Sequence, residues 1–261
     1  MKDTPSSLNN QSIQINEKYC GPPMSGNGGY IAGITANQIQ NNASVIKIKS
    51  PAPLNQPLYF VKDPSINKIK LLDIDNNVII AEGQEDNDFY LPFPKFDNKS
   101  IEEIRKPIHE YLGFQKHPFS TCFVCGPERE HEDGMRIFPA KISDQTGFAY
   151  LHGAIWNPWK KLGDTNDKIL NEIVWAALDC PGGFAVSFVD PIMIVLVKLR
   201  ARINENISVN DTYAIQAWEI GRNRRQRIAG TAIYRLSDFK CVAYSEAYWM
   251  IPGNWNSENH K

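Results

Sequence analysis

Two short stretches of the chain carry residue types that could cooperate in acyl chemistry. Gly26-Asn27-Gly28-Gly29-Tyr30 opens the first helical segment. A glycine-lined helix start offers backbone N–H groups, unpaired within the helix, to an oxyanion. Asp179 lies within Glu172-Ile173-Val174-Trp175-Ala176-Ala177-Leu178-Asp179-Cys180. A half-buried carboxylate on an otherwise apolar helix is a candidate general base or nucleophile. The first segment has glycines and no acid; the second has an acid and no glycine pair at its start. Both have structural alternatives. The glycines could serve tight packing, and Asp179 could be an acid hydrogen-bonded at a bend before Pro181.

Spacing decides how the two stretches must be arranged. At ~1.5 Å per residue, the roughly 9 to 13 residues between Asp179 and its own helix start span about 14 to 20 Å. A water attacking a carbonyl needs acid and oxyanion donor within a few ångström of the reacting atoms. One helix therefore does not supply both, whereas two antiparallel neighbours do. The expected site is composite, with Asn27, Gly28 and Gly29 facing Asp179. The first helix has Thr35-Ala36-Asn37-Gln38 where a reciprocal acid would stand, so one site per chain is expected.

Periodicity supplies the elements that would position these residues. Residues 1–12, rich in Ser, Asn and Gln, read as a flexible arm. Residues 13–19 read as a short strand and 26–40 as a helix, with Ile31, Ile34 and Ile39 at helical spacing. Strands are predicted over 44–49, 57–61, 67–73 and 77–83, with a hairpin turn at Asp75-Asn76-Asn77. Residues 84–121, punctuated by prolines, read as a connector with a helix over 100–105, capped by Ser100 and closed by Glu103. The connector could lie over the site as a lid. Beyond it, strands are predicted over 135–142 and 147–151, a loop over 157–165 and a helix over 166–186, bent by Pro181. Strands over 191–203, 211–220, 226–236 and 241–250 complete the chain. Helix followed by about four antiparallel strands thus occurs twice. The expected units are 13–83 and 122–252, with a polar tail at 253–261.

The 261 residues are 42% hydrophobic and 22% charged, enough for an ample core. A net charge of −1 gives no bulk attraction to nucleic acid or anionic membrane. No signal peptide is visible, and the longest apolar run, 192–197, is far too short to span a bilayer. Five cysteines, an odd and sparse number, suit a reduced, cytoplasmic protein.

Other candidates have blander readings beside them. Cys122-x-x-Cys125, flanked by His117 and His131, lacks the spacing of a standard zinc finger and reads as a packed turn with no metal. Cys180 lacks an evident His partner and reads as a buried small thiol or a pocket residue. Trp175 and Tyr30 could line an acyl pocket, though Trp175 suits a core equally. Arg222, Arg224, Arg225 and Arg227 form a basic hairpin, either solvated or holding phosphates. His152 and the tryptophans 156, 159, 218 and 249 read as structural.

Several motifs resemble the hotdog thioesterase superfamily. Asn27-Gly28-Gly29-Tyr30-Ile31-Ala32-Gly33 is similar to its His-Gly-Gly helix start, with Asn in place of His. Ala177-Leu178-Asp179-Cys180-Pro181-Gly182-Gly183-Phe184-Ala185 resembles the segment carrying its catalytic acid. Trp218 to Arg227 resembles its Arg-rich hairpin, and Cys122 to Pro127 followed by Asp133 to Ile137 resembles an uncharacterised branch of the same group. The resemblance implies an α+β double hotdog, two central helices each wrapped by an antiparallel sheet. It implies hydrolysis of an acyl-CoA-type thioester with no cofactor. Asp179 would be the base or nucleophile, with Asn27, Gly28 and Gly29 beside it. Tyr30, Trp175, Cys180, Arg222 and Arg224 would contact substrate. A homodimer follows by analogy of fold. A non-catalytic module binding acyl-CoA or another apolar ligand is the alternative, and a filled groove between the helices would favour a purely structural role.

Overall fold

The computed structural model describes residues 8–63, 67–187 and 193–253. The first half contains β1 (Leu8–Gln14), α1 (Gly28–Ala36), β2 (Ala43–Ile48), β3 (Pro57–Asp63), β4 (Lys68–Asp73) and β5 (Val78–Glu85). A helix, α2 (Asn98–Arg105), follows within the connector. The second half contains β6 (Ala140–Lys141), β7 (Ala149–Trp156), α3 (Asn171–Ala177), α4 (Cys180–Ser187), β8 (Val195–Ile203), β9 (Tyr213–Asn223), β10 (Gln226–Arg235) and β11 (Cys241–Met250).

Strand alternation builds these elements. In β4, Ile69 and Leu71 are buried while Lys68 and Lys70 are not, the period of a half-buried strand. The turn into β5 closes because Asp73 Oδ1 accepts from the Asn76 N–H at 3.1 Å and Asn77 takes a left-handed φ of 56°, which asparagine tolerates.

All eleven strands form one antiparallel sheet in the order β1-β3-β4-β5-β2-β8-β11-β10-β9-β7-β6. The first five positions belong to the first half, the remaining six to the second. The halves join where β2 pairs with β8, from Ala43↔Arg202 to Lys47↔Lys198. Beside this seam, Arg200 Nε reaches Asp86 at 2.7 Å and its Nη1 reaches Glu246 at 3.2 Å. Helices α1 and α3 pack against each other and face the sheet, forming one large core with Ile31, Ile34, Ile173, Val174 and Trp175.

A second core lies on the opposite face of the sheet. Tyr213 and Ile215 of β9 join the helix-side core, while Ala214 and Trp218 join Phe89, Leu91, Phe96 and Ile104 of the connector. The connector segment 89–104 therefore backs the second half of the sheet rather than covering the helix pair.

Several expectations are corrected. Residues 8–12, expected in a loose arm, belong to β1; residues 1–7 and 254–261 lie outside the described residues. The strand expected over 13–19 is instead the end of β1 and a 3-10 turn, Glu17–Tyr19. The cap of α2 is Asp97, whose carboxylate accepts from the Ser100 N–H at 3.1 Å, not Ser100 with Glu103. The strand over 135–142 shrinks to Ala140–Lys141, because the Met135 and Ile137 N–H groups bond to Phe123 O and Val124 O instead of a strand. The helix over 166–186 is two helices, broken at Leu178–Asp179. Pro181 sits in the first turn of α4, where its missing N–H costs little.

Candidate active site

The site is assembled where the start of α1 meets the break between α3 and α4. Close approach is made possible by two glycines one helical turn apart. A Cβ on Gly29 would fall 2.5 Å from Asp179 Cβ and 2.7 Å from Trp175 O; one on Gly33 would fall 2.4 Å from Glu172 Cα. The packing role of the glycines is thus real, and it is helix against helix.

The same closeness brings acid and helix start together. The Gly29 N–H donates to Asp179 Oδ2 at 2.8 Å, across 150 residues of sequence. Asn27 is the N-cap: its Oδ1 accepts from the Tyr30 N–H at 3.0 Å. Asp179 is 2% exposed, and its Oδ1 has no hydrogen-bond partner among the described residues. Burial pushes its carboxyl up to about 8, against the opposing pull of the Gly29 N–H.

Three thiols fill the remainder. Cys122, Cys125 and Cys180 are buried, with their sulfur atoms within 4.8 Å of one another. Cys122 Sγ and Cys180 Sγ are 3.8 Å apart. Asn27 Nδ2 points at both, 3.8 Å from Cys122 Sγ and 3.6 Å from Cys180 Sγ. Hydrogen bonds from the Cys125 and Cys180 thiols hold Cys122 well below the usual thiol range, and the proximity of Cys122 holds Cys180 well above it. These three cysteines could hold a thiophilic metal. Sequence reasoning set Cys122 and Cys125 apart from Cys180. The signal available was that three of the five cysteines stand in Cys-x-x-Cys and Asp-Cys-Pro contexts.

The loop carrying Cys122 and Cys125 is tied down over the groove. The Phe123 N–H donates to Cys20 O at 2.8 Å, Tyr111 Oη donates to Cys125 O at 2.9 Å, and Arg129 bonds Thr121 O, Lys18 O and Asp133. The groove between the helices is consequently filled. Two surface clefts among the described residues lie elsewhere, one beside Lys95 and Ser100, the other beside Asp164 and Asn206.

The other candidate residues are spread out. Trp175 is buried in the helix-side core. Tyr30 is half-buried and stacks on Tyr19, with ring centroids 4.1 Å apart. Arg222 lies on the β9–β10 hairpin, paired to Glu219 through bonds of 2.6 and 2.5 Å. Arg224 is exposed in the turn at a φ of 48°. The Arg222 guanidinium also lies over the Tyr150 ring of β7, 5.6 Å from its centroid. His152 is buried, its Nδ1 2.8 Å from Tyr150 O, and burial lowers its pKa to about 4.

Comparison with known proteins bears on the fold. An acyl-CoA thioesterase II, TesB2, from Mycobacterium marinum superposes with a TM-score of 0.59 at 8% identity, over 94% of each chain. A conserved protein of unknown function with hot dog fold from Alicyclobacillus acidocaldarius gives 0.58 at 8% identity, over 97% of this chain and 96% of that one. The fold is the double hotdog. A tesB protein of Mycobacterium avium subs paratuberculosis matches at 0.54 and 10% identity, over 87% of both chains. No family model and no curated protein matches the sequence. Among the described residues, no helix of this double hotdog is long and apolar enough to cross a membrane.

Proposed function

We propose that this double hotdog hydrolyses an acyl thioester of the acyl-CoA type. The observation that carries the reading is the 2.8 Å contact between Asp179 of the second half and the Gly29 N–H of the first. It puts a carboxylate and a helix N-terminus within reach of one reacting group, as a composite hydrolytic site requires. Asp179 is the general base or nucleophile. The Gly28 N–H polarises the thioester carbonyl. Tyr30's goes to Asn27 and Gly29's to Asp179; the Gly28 N–H takes neither acceptor, and an oxyanion would meet it first. Names of fold neighbours, an acyl-CoA thioesterase II among them, support the substrate class. Substrate entry requires the Cys122–Cys125 loop to yield.

That requirement favours a second reading. Asp179 is closed from solvent and already accepts from the Gly29 N–H of the same helix start, as suits a non-catalytic module. Hydrolysis of short, long and aromatic acyl-CoAs, followed with a thiol-trapping dye, separates the two. The hydrolase reading expects turnover in wild type and a loss of about 10²–10⁴-fold in Asp179→Asn, with the fold retained. Equal turnover in the two proteins removes Asp179 from the mechanism. No turnover in wild type, with thermal stabilisation by an acyl-CoA, leaves the binding module.

A further inference from the structure

We propose that Cys122, Cys125 and Cys180 bind one Zn2+ ion as thiolates. Zinc–thiolate bonds of about 2.3 Å at tetrahedral angles set neighbouring sulfurs about 3.8 Å apart. The Cys122–Cys180 separation is 3.8 Å, with all three sulfurs within 4.8 Å of one another. Three packed neutral thiols would also sit near that distance, so two further features carry the assignment.

The first is the Cys-x-x-Cys turn, which is shaped before any ion arrives. The Gly126 N–H donates to Cys122 O at 2.9 Å. A Cβ on Gly126 would lie 2.4 Å from Ser120 O and 2.6 Å from both Cys122 N and O, so only glycine closes the turn this tightly. Tyr111 Oη fixes the carbonyl of Cys125. The two-residue spacing is that of a zinc half-site, and the start of α4 supplies the third sulfur.

The second feature is the set of donors aimed at the sulfurs, which stand beside the Asp179 carboxyl. Asn27 Nδ2 lies 3.8 and 3.6 Å from two of them, the outer-shell donor that metal thiolates use. Both eight-residue α4, which begins at Cys180, and nine-residue α1, capped by Asn27, direct their N-termini here, where anionic charge is favoured. Three thiolates with Zn2+ carry one net negative charge; with a monovalent ion they would carry two, at greater cost in a buried site. Thiolates also exclude the hard cations. Binding releases the protons still held by the thiols to solvent and oxidises nothing. Among the described residues, no histidine nitrogen or carboxylate oxygen joins the sulfur triangle, which leaves a fourth coordination position for a small exogenous ligand. The ion would pin the loop to the α3–α4 break and so oppose the loop movement that entry of an acyl thioester requires.

The inference does not rest on hydrolysis, because Asp179 stands outside the triangle. The test uses the full-length reduced chain, purified without chelator, with zinc counted by plasma mass spectrometry. The expected result is about one Zn2+ per chain, lost in Cys122→Ser and Cys180→Ser and kept in Cys241→Ser. Should the serine variants fail to fold, wild type refolded with and without added Zn2+ decides, and a higher unfolding temperature with zinc is expected. Zinc absent from wild type after both preparations, copper in its place, or a disulfide joining two of the three cysteines would overturn the proposal. An inactive chain that holds zinc would remove the hydrolase reading alone.

Discussion

The two central helices occupy equivalent places in the two halves, yet they are built differently. The first, α1, is one uninterrupted helix with a side-chain cap, glycines on the contacting face and no acid. Its counterpart is two short helices, with Asp179 at the break and Pro181 restarting the chain. The break also exposes a carbonyl, and Ser245 Oγ on β11 donates to Leu178 O at 3.0 Å to satisfy it. The difference shows how a repeated plan divides labour. The continuous helix offers N–H groups at its end, while the broken one turns a carboxylate and a thiol toward them.

Substitutions along the two helices test this division. The largest effect is expected at Trp175, buried between α3 and α1. Trp175→Ala should cost about 3–5 kcal/mol in urea unfolding; a cost under 1 kcal/mol would mean that the α1–α3 contact does not organise the core. Gly33→Ala comes next, at about 3 kcal/mol, because the new methyl would overlap backbone of α3 at 2.4 Å. The matched change on the broken side, Gly182→Ala, meets Ala229 Cβ at 3.0 Å, Thr231 Oγ1 at 3.1 Å and Trp249 Nε1 at 3.8 Å, side-chain atoms and no backbone. There the helix-propensity gain of about 1 kcal/mol should leave stability nearly unchanged, and equal costs at the two glycines would erase the contrast. Asn27→Ala removes the cap of α1 and is expected to cost about 1–2 kcal/mol by thermal unfolding. Smallest is Ser245→Ala, at about 1 kcal/mol for the carbonyl left unpaired at the break; no measurable change would imply that the break needs no support from the sheet.

Much of this arrangement was legible in the sequence. Alternation in β4 and the Asn-rich turn after it place a hairpin, and the glycines of 26–29 mark a helix start. The length of one helix led to the expectation that Asp179 would face the start of another, and the Gly29 N–H bonds Asp179 Oδ2 across the two segments. What escaped was set by contacts distant in sequence. Helical periodicity runs straight through Leu178–Asp179, so the break, stabilised by Ser245 from 67 residues away, leaves only Pro181 as a local trace, which reads as a bend and not as a stop. Met135 and Ile137 alternate like a strand, yet their N–H groups serve the Cys122–Cys125 loop. The thiol of Cys180 meets Cys122 across 58 residues, and residue spacing alone does not join a helix residue to a turn so far upstream.

The connector behind the second half has a consequence for biosynthesis. Tyr244 Oη closes on Phe89 O across 155 residues, and Tyr234 Oη on Pro94 O across 140. Phe89, Leu91 and Phe96 emerge from the ribosome well before the strands that bury them. Until β10 and β11 are made, the nascent chain must carry this greasy, aromatic stretch uncovered, a natural handle for a chaperone. A ribosome stalled before Tyr234 would leave it exposed to aggregation.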